Sequence, residues 1–303
     1  EKEILSKEEN FLKGGGRFIS HIPIVRFVQL ENNMNLQKHL TIIVTVHERK
    51  SAIDKCLENL KDFDCDIVIA DSSKKPMTRQ FDSNVKYVHE PQLTWHQKMV
   101  SRLQDIKTPL YIELPDDDSL NIDGVKTCVS FLIANPEYNV AIGQMLPPSI
   151  QQLKNGFPNA TILYDDPLKR ISSGLSHTPG DLDFIEATHG VTRVDSGLNF
   201  YTWYVENPIL WPIRWTDKIR KFFLLFAGKT KFFQIEYRYS GNHTSLLLDP
   251  KIDYPKYLHK DLIWTDFFNN TDNLKPLIQL LNTKYTFSEK ESIDFIESVY
   301  IKD

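Results

Sequence analysis

Apolar runs and amphipathic stretches alternate through the first half of the chain. The runs are rich in β-branched residues and predict buried strands at Thr41–Val46, Asp66–Ala70, Val85–His89, Pro109–Leu114 and Tyr138–Gly143. Helices are predicted between them, beginning near Ser51 and Thr94, with a further helix over 121–135. Strands and helices that alternate at this spacing predict an α/β fold with a Rossmann-like, mostly parallel, doubly wound sheet.

The pattern changes on either side of this half. Residues 1–39 open with a charged stretch and a triple glycine, and they predict an arm or linker before the main domain, 40–245. Prolines break the chain repeatedly over 147–215, which predicts a loop-rich region. Residues 246–303 predict a helical extension whose last helix lies at Ser288–Tyr300.

Aromatic residues cluster in the loop-rich region, at Phe200, Tyr201, Trp203, Tyr204, Trp211 and Trp215. They have two interpretations: a packing layer over the sheet, or a surface on which carbohydrate rings stack. A helix over 218–227 follows, with Asp217 at its start and Gly228 as its C-cap. A strand at Lys231–Tyr239 is predicted after it.

Composition excludes several classes of protein. The chain has 303 residues, and 41% of them are hydrophobic. Its net charge of −4 does not indicate a protein that binds nucleic acid. The three cysteines form no CxxC pair, which argues against a disulfide scaffold or a zinc site and for a reducing compartment. No apolar run reaches the roughly 18 residues of a membrane span and no signal peptide opens the chain, so a cytoplasmic location is expected.

One apolar segment, 222–226, is flanked by basic residues at Arg220, Lys221, Lys229 and Lys231. It has two interpretations. In the first it is a buried core helix whose basic ends reach toward solvent. In the second it makes a peripheral contact with the inner face of a membrane. The core-helix interpretation is preferred, since a run of large apolar side chains between basic ends is common in buried helices.

Polar residues gather where three predicted strands end. His47, Glu48 and Arg49 follow the first strand, Asp71 follows the second, and the acidic triplet Asp116–Asp118 follows the fourth. Ligands of a doubly wound sheet bind at the carboxyl ends of its strands. Like charges crowded at a strand end need a compensating partner, and carboxylate oxygens are the ligands that Mg²⁺ and Mn²⁺ prefer. The sequence therefore predicts a Mn²⁺ or Mg²⁺ site here, on a surface loop.

Taken together, these motifs resemble the GT-A glycosyltransferases, specifically the inverting family 2. The similarity covers about Leu40–His243, with 40–146 as the nucleotide-binding half and 147–245 as the acceptor-binding half. It is carried by the segments Ile42–Arg49, Ile67–Ser73 and Leu110–Asp118, the last of which contains the D-x-D motif of these enzymes. The sequence motif that begins at Thr108 also resembles a bacterial branch of the family.

The resemblance implies roles for individual residues. It makes Asp118 the direct metal ligand, places Asp116 on the ribose or a metal-bound water, and lets Asp117 orient the loop. It makes Asp71 the acceptor of a hydrogen bond from uracil, and Asp217 the general base. The nucleotide- and cofactor-binding set is completed by Thr45, His47, Glu48, Arg49 and Lys98, and the metal-binding set by His243.

The expected function is a metal-dependent, inverting transfer of a sugar from a nucleotide-sugar, with a UDP-sugar favoured, to a hydroxyl group of a glycan or glycoconjugate, as in polysaccharide biosynthesis. Alternative bases are Asp181, Asp183, Glu186 and Glu236. Two other functions stay open: a nucleotidyltransferase acting on a sugar phosphate, and an inactive carbohydrate-binding module. The segment His47-Glu48-Arg49-Lys50 lacks the glycine-rich loop of the former, and the intact acidic triplet argues against the latter. The oligomeric state is left open.

Overall fold

The structure, a computed structural model, describes residues 34–49, 52–146, 162, 164–175, 187–207, 213–239 and 270–300. At 145, 146, 187 and 213–218 it describes only the backbone. All of these residues belong to one unit of the chain, Met34–Asp303. Most of the predicted arm lies outside the described residues, as do the alternative bases Asp181, Asp183 and Glu186, and the arm therefore stays a prediction.

Eight strands form one sheet within the part of the chain that the structure describes. They are β1 Leu40–Val46, β2 Asp66–Asp71, β3 Val85–His89, β4 Leu110–Pro115, β5 Ser119–Leu120, β6 Tyr138–Leu146, β7 Val191–Arg193 and β8 Lys229–Tyr239. Their order is β3-β2-β1-β4-β7-β6-β8-β5. Strand β7 runs antiparallel to β4 and β6, β5 runs antiparallel to β8, and the other neighbours are parallel. The mostly parallel α/β sheet predicted from the sequence is confirmed.

Along the chain, helices lie between these strands or follow the last one. They are α1 Ile53–Leu60, α2 Trp95–Asp105, α3 Ile122–Ala134, α4 Pro167–Leu175, α5 Val194–Glu206, α6 Ile213–Ala227, α7 Lys275–Asn282 and α8 Glu289–Tyr300. The predicted start of α2 is confirmed, because the Thr94 hydroxyl accepts from the Gln97 amide while the Gln97 side chain accepts from the Thr94 amide at 3.0 Å. This reciprocal capping box satisfies two amide groups that the first helical turn would otherwise leave unpaired.

The loop-rich region holds more regular structure than its prolines indicated. Helix α5 and strand β7 lie in the stretch between Pro179 and Pro208, which contains no proline and so can continue a helix. Helix α4 begins at Pro167, where the missing amide of proline costs nothing. These two helices and this strand therefore lie within the loop-rich region 147–215.

Helix α6 begins at Ile213, before the predicted start at Asp217. Asp217 therefore lies in the second turn, and the first turn contains no acidic residue. Gly228 follows the helix as predicted, yet its backbone is not in the left-handed region that a glycine C-cap normally adopts. A Cβ at Gly228 would lie 2.6 Å from Asn139 Cγ, so the glycine permits a close approach instead.

Parts of both apolar features of 147–245 are buried in the core. Phe200, Tyr201 and Tyr204 are buried, which confirms the packing interpretation for these three rings. Trp211 lies outside the described residues, and only the backbone is described at Trp215. The segment 222–226 is buried as well, which confirms that it belongs to the core. The expectation that its basic ends reach toward solvent is wrong for Arg220 and Lys221, because both are buried. Within the described residues, no helix is both long enough and apolar enough to cross a membrane.

Gly124 in α3 lies against the backbone of β8. A Cβ at this position would lie 2.1 Å from the carbonyl oxygen of Glu236, far inside van der Waals contact. Since backbone cannot move aside as a flexible side chain can, Gly124→Ala should lower the free energy of unfolding by about 1–3 kcal/mol, although alanine favours helices. Denaturant titration should show this loss, whereas Lys126→Ala in the same helix should stay within about 0.5 kcal/mol. Unchanged stability of Gly124→Ala would mean that α3 can shift away from β8.

Candidate active site

The carboxyl ends of β2, β1 and β4 lie side by side at one edge of the sheet. Thr45, near the end of β1, pairs with Ala70 of β2 on one side and with Pro115 of β4 on the other. The residues that follow these three strands therefore share one edge, as the sequence predicted. In an open α/β sheet this edge is where ligands bind.

Side-chain hydrogen bonds hold the turn after β1 to the turn after β2. His47 Nδ1 and Ser72 Oγ are 3.0 Å apart, and the Glu48 amide donates to Ser73 Oγ at 2.9 Å. The Lys74 amide donates to the Glu48 carboxylate at 2.8 Å. Glu48 has a φ of 58°, a left-handed conformation that costs a non-glycine residue about 1–3 kcal/mol. The amide and carboxylate of Glu48 thus both stabilise the turn after β1. Its contact with a nucleotide stays a prediction.

Asp71 is fully buried at the end of β2. Its Oδ1 accepts from the Ser73 amide at 2.7 Å, and its Oδ2 accepts from the Tyr87 hydroxyl at 2.7 Å. Burial alone would raise the pKa of Asp71, but the hydrogen bonds from Ser73 and Tyr87 outweigh it and hold the pKa below its usual value. Asp71 therefore stays ionised at neutral pH. A nucleobase would bind to a lone pair that neither neighbour occupies.

Lys98 of α2 lies buried beneath the same edge. Its ammonium group donates to the Ser72 hydroxyl at 2.9 Å, to the Ala70 carbonyl at 3.2 Å and to the Val46 carbonyl at 3.4 Å. Burial lowers the pKa of Lys98, while nearby carboxylates oppose the shift. An ammonium group has three N–H donors, so these partners leave none for a phosphate. Lys98 therefore links the end of β1 to the end of β2 through hydrogen bonds to both backbones.

Two arginines reach the acidic triplet. Arg49 contacts Asp116 and Asp117, and its Nη1 is 2.8 Å from Asp117 Oδ2. Arg238, at the end of β8, contacts Asp118, and its Nε is 2.7 Å from Asp118 Oδ2. Asp116 is 0% exposed and Asp118 is 2% exposed. Asp116 and Asp118 therefore belong to a buried ionic cluster, while Asp117 is partly exposed. The expectation of a surface loop is wrong for the two buried carboxylates.

Arg238 is a site residue that sequence reasoning missed. It lies 120 residues from Asp118 along the chain. The two meet because β5 pairs antiparallel with β8, which sets Leu120 opposite Arg238. A charged residue near the end of a predicted strand was the one local signal, and that signal does not identify its partner.

Asp116 carries the clearest sign that a cation fits here. Its Oδ2 is buried and has no hydrogen-bond partner within the described residues, while Oδ1 faces Arg49. Burial raises the pKa of Asp116 to about 7, although the charge of Arg49 opposes the shift. When fully ionised, the three carboxylates exceed the two guanidinium groups by one negative charge. A divalent cation at Asp116 Oδ2 would satisfy both the oxygen and the charge.

The protein alone does not provide a complete set of metal ligands in the part of the chain that is described. No group of three or more His, Cys, Asp or Glu side chains is placed there to hold an ion. Asp118 is less available than Asp116, since its Oδ2 already accepts from two N–H groups of Arg238. A cation at Asp116 would therefore need further ligands beyond these side chains. His243, the third predicted ligand, lies outside the described residues.

The predicted base, Asp217, is described only by its backbone, one turn before Arg220 in α6. One alternative base, Glu236, belongs to the described residues. It is exposed on β8, where its carboxylate accepts from the Tyr239 hydroxyl at 2.7 Å. The structure therefore leaves the assignment of the base as a prediction.

No protein-family profile matches the chain, and no curated protein matches it. It is similar to S. aureus TarS at 14% identity, with a TM-score of 0.49. It is also similar to S. aureus TarS 1–349 in complex with UDP-GlcNAc, at 15% identity and a TM-score of 0.49, and in complex with UDP, at 14% and 0.48. Each match covers 86% of this chain, which spans 42% of the first structure, 72% of the second and 71% of the third. Similarity at this level does not identify a function.

Proposed function

We propose that the chain is a metal-dependent, inverting glycosyltransferase. It moves a sugar from a nucleotide-sugar, with a UDP-sugar as the favoured donor, to a hydroxyl group of a glycan or glycoconjugate. The observation that carries the proposal is the buried Oδ2 of Asp116, which has no protein partner among the described residues and lies at the carboxyl end of a central strand. Such an oxygen can bind a cation, and a cation at the ligand-binding edge of this sheet suits a diphosphate.

The side chains around Asp116 suit the departure of a diphosphate. A Mn²⁺ or Mg²⁺ ion held by Asp116 would supply positive charge to the leaving group. Arg49 orients Asp116 and Asp117 together, and Arg238 orients Asp118. These two guanidinium groups offset most of the repulsion among the three carboxylates, so the added charge of a cation would act on the diphosphate.

The remaining roles fall on two further carboxylates. Asp71, whose pKa is held low, offers an ionised acceptor to a nucleobase N–H at the end of β2. Asp217 accepts the proton that the acceptor hydroxyl loses as it attacks the anomeric carbon. A single displacement of this kind inverts the configuration at that carbon.

The proposal is tested by binding and turnover with a panel of nucleotides and nucleotide-sugars. We expect UDP to bind more tightly with Mn²⁺ than in excess EDTA, and one UDP-sugar to release UDP when an acceptor is present. Release of pyrophosphate from a nucleoside triphosphate and a sugar phosphate would instead identify a nucleotidyltransferase. Binding of glycans without any nucleotide would identify a carbohydrate-binding module.

Asp71→Ala should weaken UDP binding by roughly 10- to 100-fold, the usual worth of a hydrogen bond to a charged group, while kcat changes little. The contact is similar in the ground state and the transition state, so its loss acts on binding. Tyr87→Phe is the matched control, because it removes a hydrogen bond to Asp71 and keeps the carboxylate. Calorimetry should show a much smaller loss for Tyr87→Phe. Equal losses in both variants would assign the effect to the shape of the turn.

A further inference from the structure

A charged residue lies in the middle of the apolar strand β4. Glu113 is three residues before Asp116 and is 5% exposed. Its carboxylate accepts hydrogen bonds from three different helices. Trp95 Nε1 of α2 is 2.6 Å from Oε1, Arg220 Nη1 of α6 is 2.7 Å from Oε2, and the Tyr201 hydroxyl of α5 also donates to Oε2. Glu113 thus joins the strand to all three helices.

Arg220 is held by directional contacts on the same strand. It is 2% exposed, and its Nη2 is 3.2 Å from the Tyr111 hydroxyl of β4. Its guanidinium carbon lies 5.2 Å from the ring centre of Tyr201. Gly197 of α5 leaves room for Tyr111, because a Cβ there would lie 2.3 Å from the tyrosine oxygen. Two side chains of β4, the Glu113 carboxylate and the Tyr111 hydroxyl, therefore accept hydrogen bonds from the Arg220 guanidinium.

Packing alone does not require this network. Burying a pair of charges costs desolvation, and apolar residues of similar volume often give equal or greater stability. Helix α6 already buries Phe222, Leu224 and Leu225, which attach it to the core. The ion pair makes the contact between α6 and β4 directional. A planar guanidinium and a carboxylate restrict both the distance between these two elements and their relative rotation.

We propose that Glu113 and Arg220 are a positioning pair that sets α6 against β4 for the sugar transfer. This inference rests on the proposed function. Strand β4 leads directly into Asp116, and α6 carries Asp217 one turn before Arg220. The pair therefore joins the strand that presents the proposed metal-binding carboxylate to the helix that carries the proposed base. A displacement of about 1 Å between reacting groups can cost about 10²-fold in rate.

Arg170 provides a matched control. It is also buried and also holds α6, but at the other end of the helix, where its Nε is 2.6 Å from the Leu225 carbonyl oxygen and its Nη2 is 2.9 Å from that of Phe226. Arg220→Met and Arg170→Met each remove one buried arginine from the same helix. Arg220→Lys and Arg170→Lys keep the charge, so they provide folded protein if the methionine variants do not fold.

For the Arg220 variants we expect kcat of the folded protein to fall by about tenfold or more, while the donor KM and the UDP dissociation constant change by less than about threefold. For the Arg170 variants we expect a lower Tm, with kcat of the folded protein within about threefold of wild type. The inference is overturned if folded Arg220 variants keep the wild-type kcat or resemble the Arg170 variants. If wild-type protein processes no UDP-sugar, the proposed function fails and the inference falls with it.

Discussion

Asp116→Asn should remove metal-dependent turnover and leave the protein folded. Asparagine keeps the shape of the side chain and an oxygen for Arg49, but it withdraws the negative charge that a divalent cation needs. An ion that supplies several kcal/mol of charge stabilisation accounts for roughly 10²–10³-fold in kcat, so a loss of that size is expected. Because burial disfavours the ionised form and raises the pKa of Asp116 to about 7, the neutral side chain should not lower the Tm of the metal-free protein.

The measurement is turnover against Mn²⁺ concentration for wild type, Asp116→Asn and Asp117→Asn. Asp117 also contacts Arg49, but both of its oxygens face that guanidinium, so its variant should lose less than about tenfold. Near-normal turnover of Asp116→Asn, or full wild-type activity in excess EDTA, would contradict the metal assignment. Asp118→Ala is a less clean test, since it leaves Arg238 buried without its counter-ion, a change that costs about 3–5 kcal/mol.

Local patterns were enough to predict the edge of the sheet at which the candidate site lies. Strands β1, β2 and β4 are apolar runs that end in polar residues, and buried parallel strands are recognisable without long-range information. The start of α2 is equally local, because Thr94 and Gln97 are three residues apart. The convergence of the three turns then follows from the doubly wound arrangement.

Contacts between residues far apart in the sequence could not be predicted from local patterns. Arg238 reaches Asp118 only because β5 pairs with β8, and no periodic pattern encodes that register. Glu113 was visible as a carboxylate inside an apolar strand, and a buried charge implies a counter-ion. Its partner, Arg220, lies 107 residues away, and the sequence offers many other arginines and lysines. The strand ends at which polar residues meet were therefore more predictable than the side-chain pairs that form there.

Asp217→Asn should leave UDP-sugar binding nearly intact and lower turnover by roughly 10²-fold or more, the usual contribution of a general base. Asparagine has nearly the shape of aspartate but cannot accept the proton that the attacking hydroxyl loses. Asp217 lies beyond the first turn of α6, so stabilisation of the helix N-terminus does not account for an acid at this position. The link from Arg220 to Glu113 holds the next turn of the helix against the strand that leads to Asp116.

Single-turnover kinetics with the UDP-sugar donor should separate this loss of chemistry from any loss of binding. Glu236→Gln is the matched comparison, because Glu236 is the one alternative base among the described residues. Normal turnover of Asp217→Asn, with a large loss in Glu236→Gln, would transfer the role to Glu236. The anomeric configuration of the product, read by NMR, should be inverted relative to the donor. Retention would contradict the single displacement as a whole, because no choice of base converts one direct attack into retention.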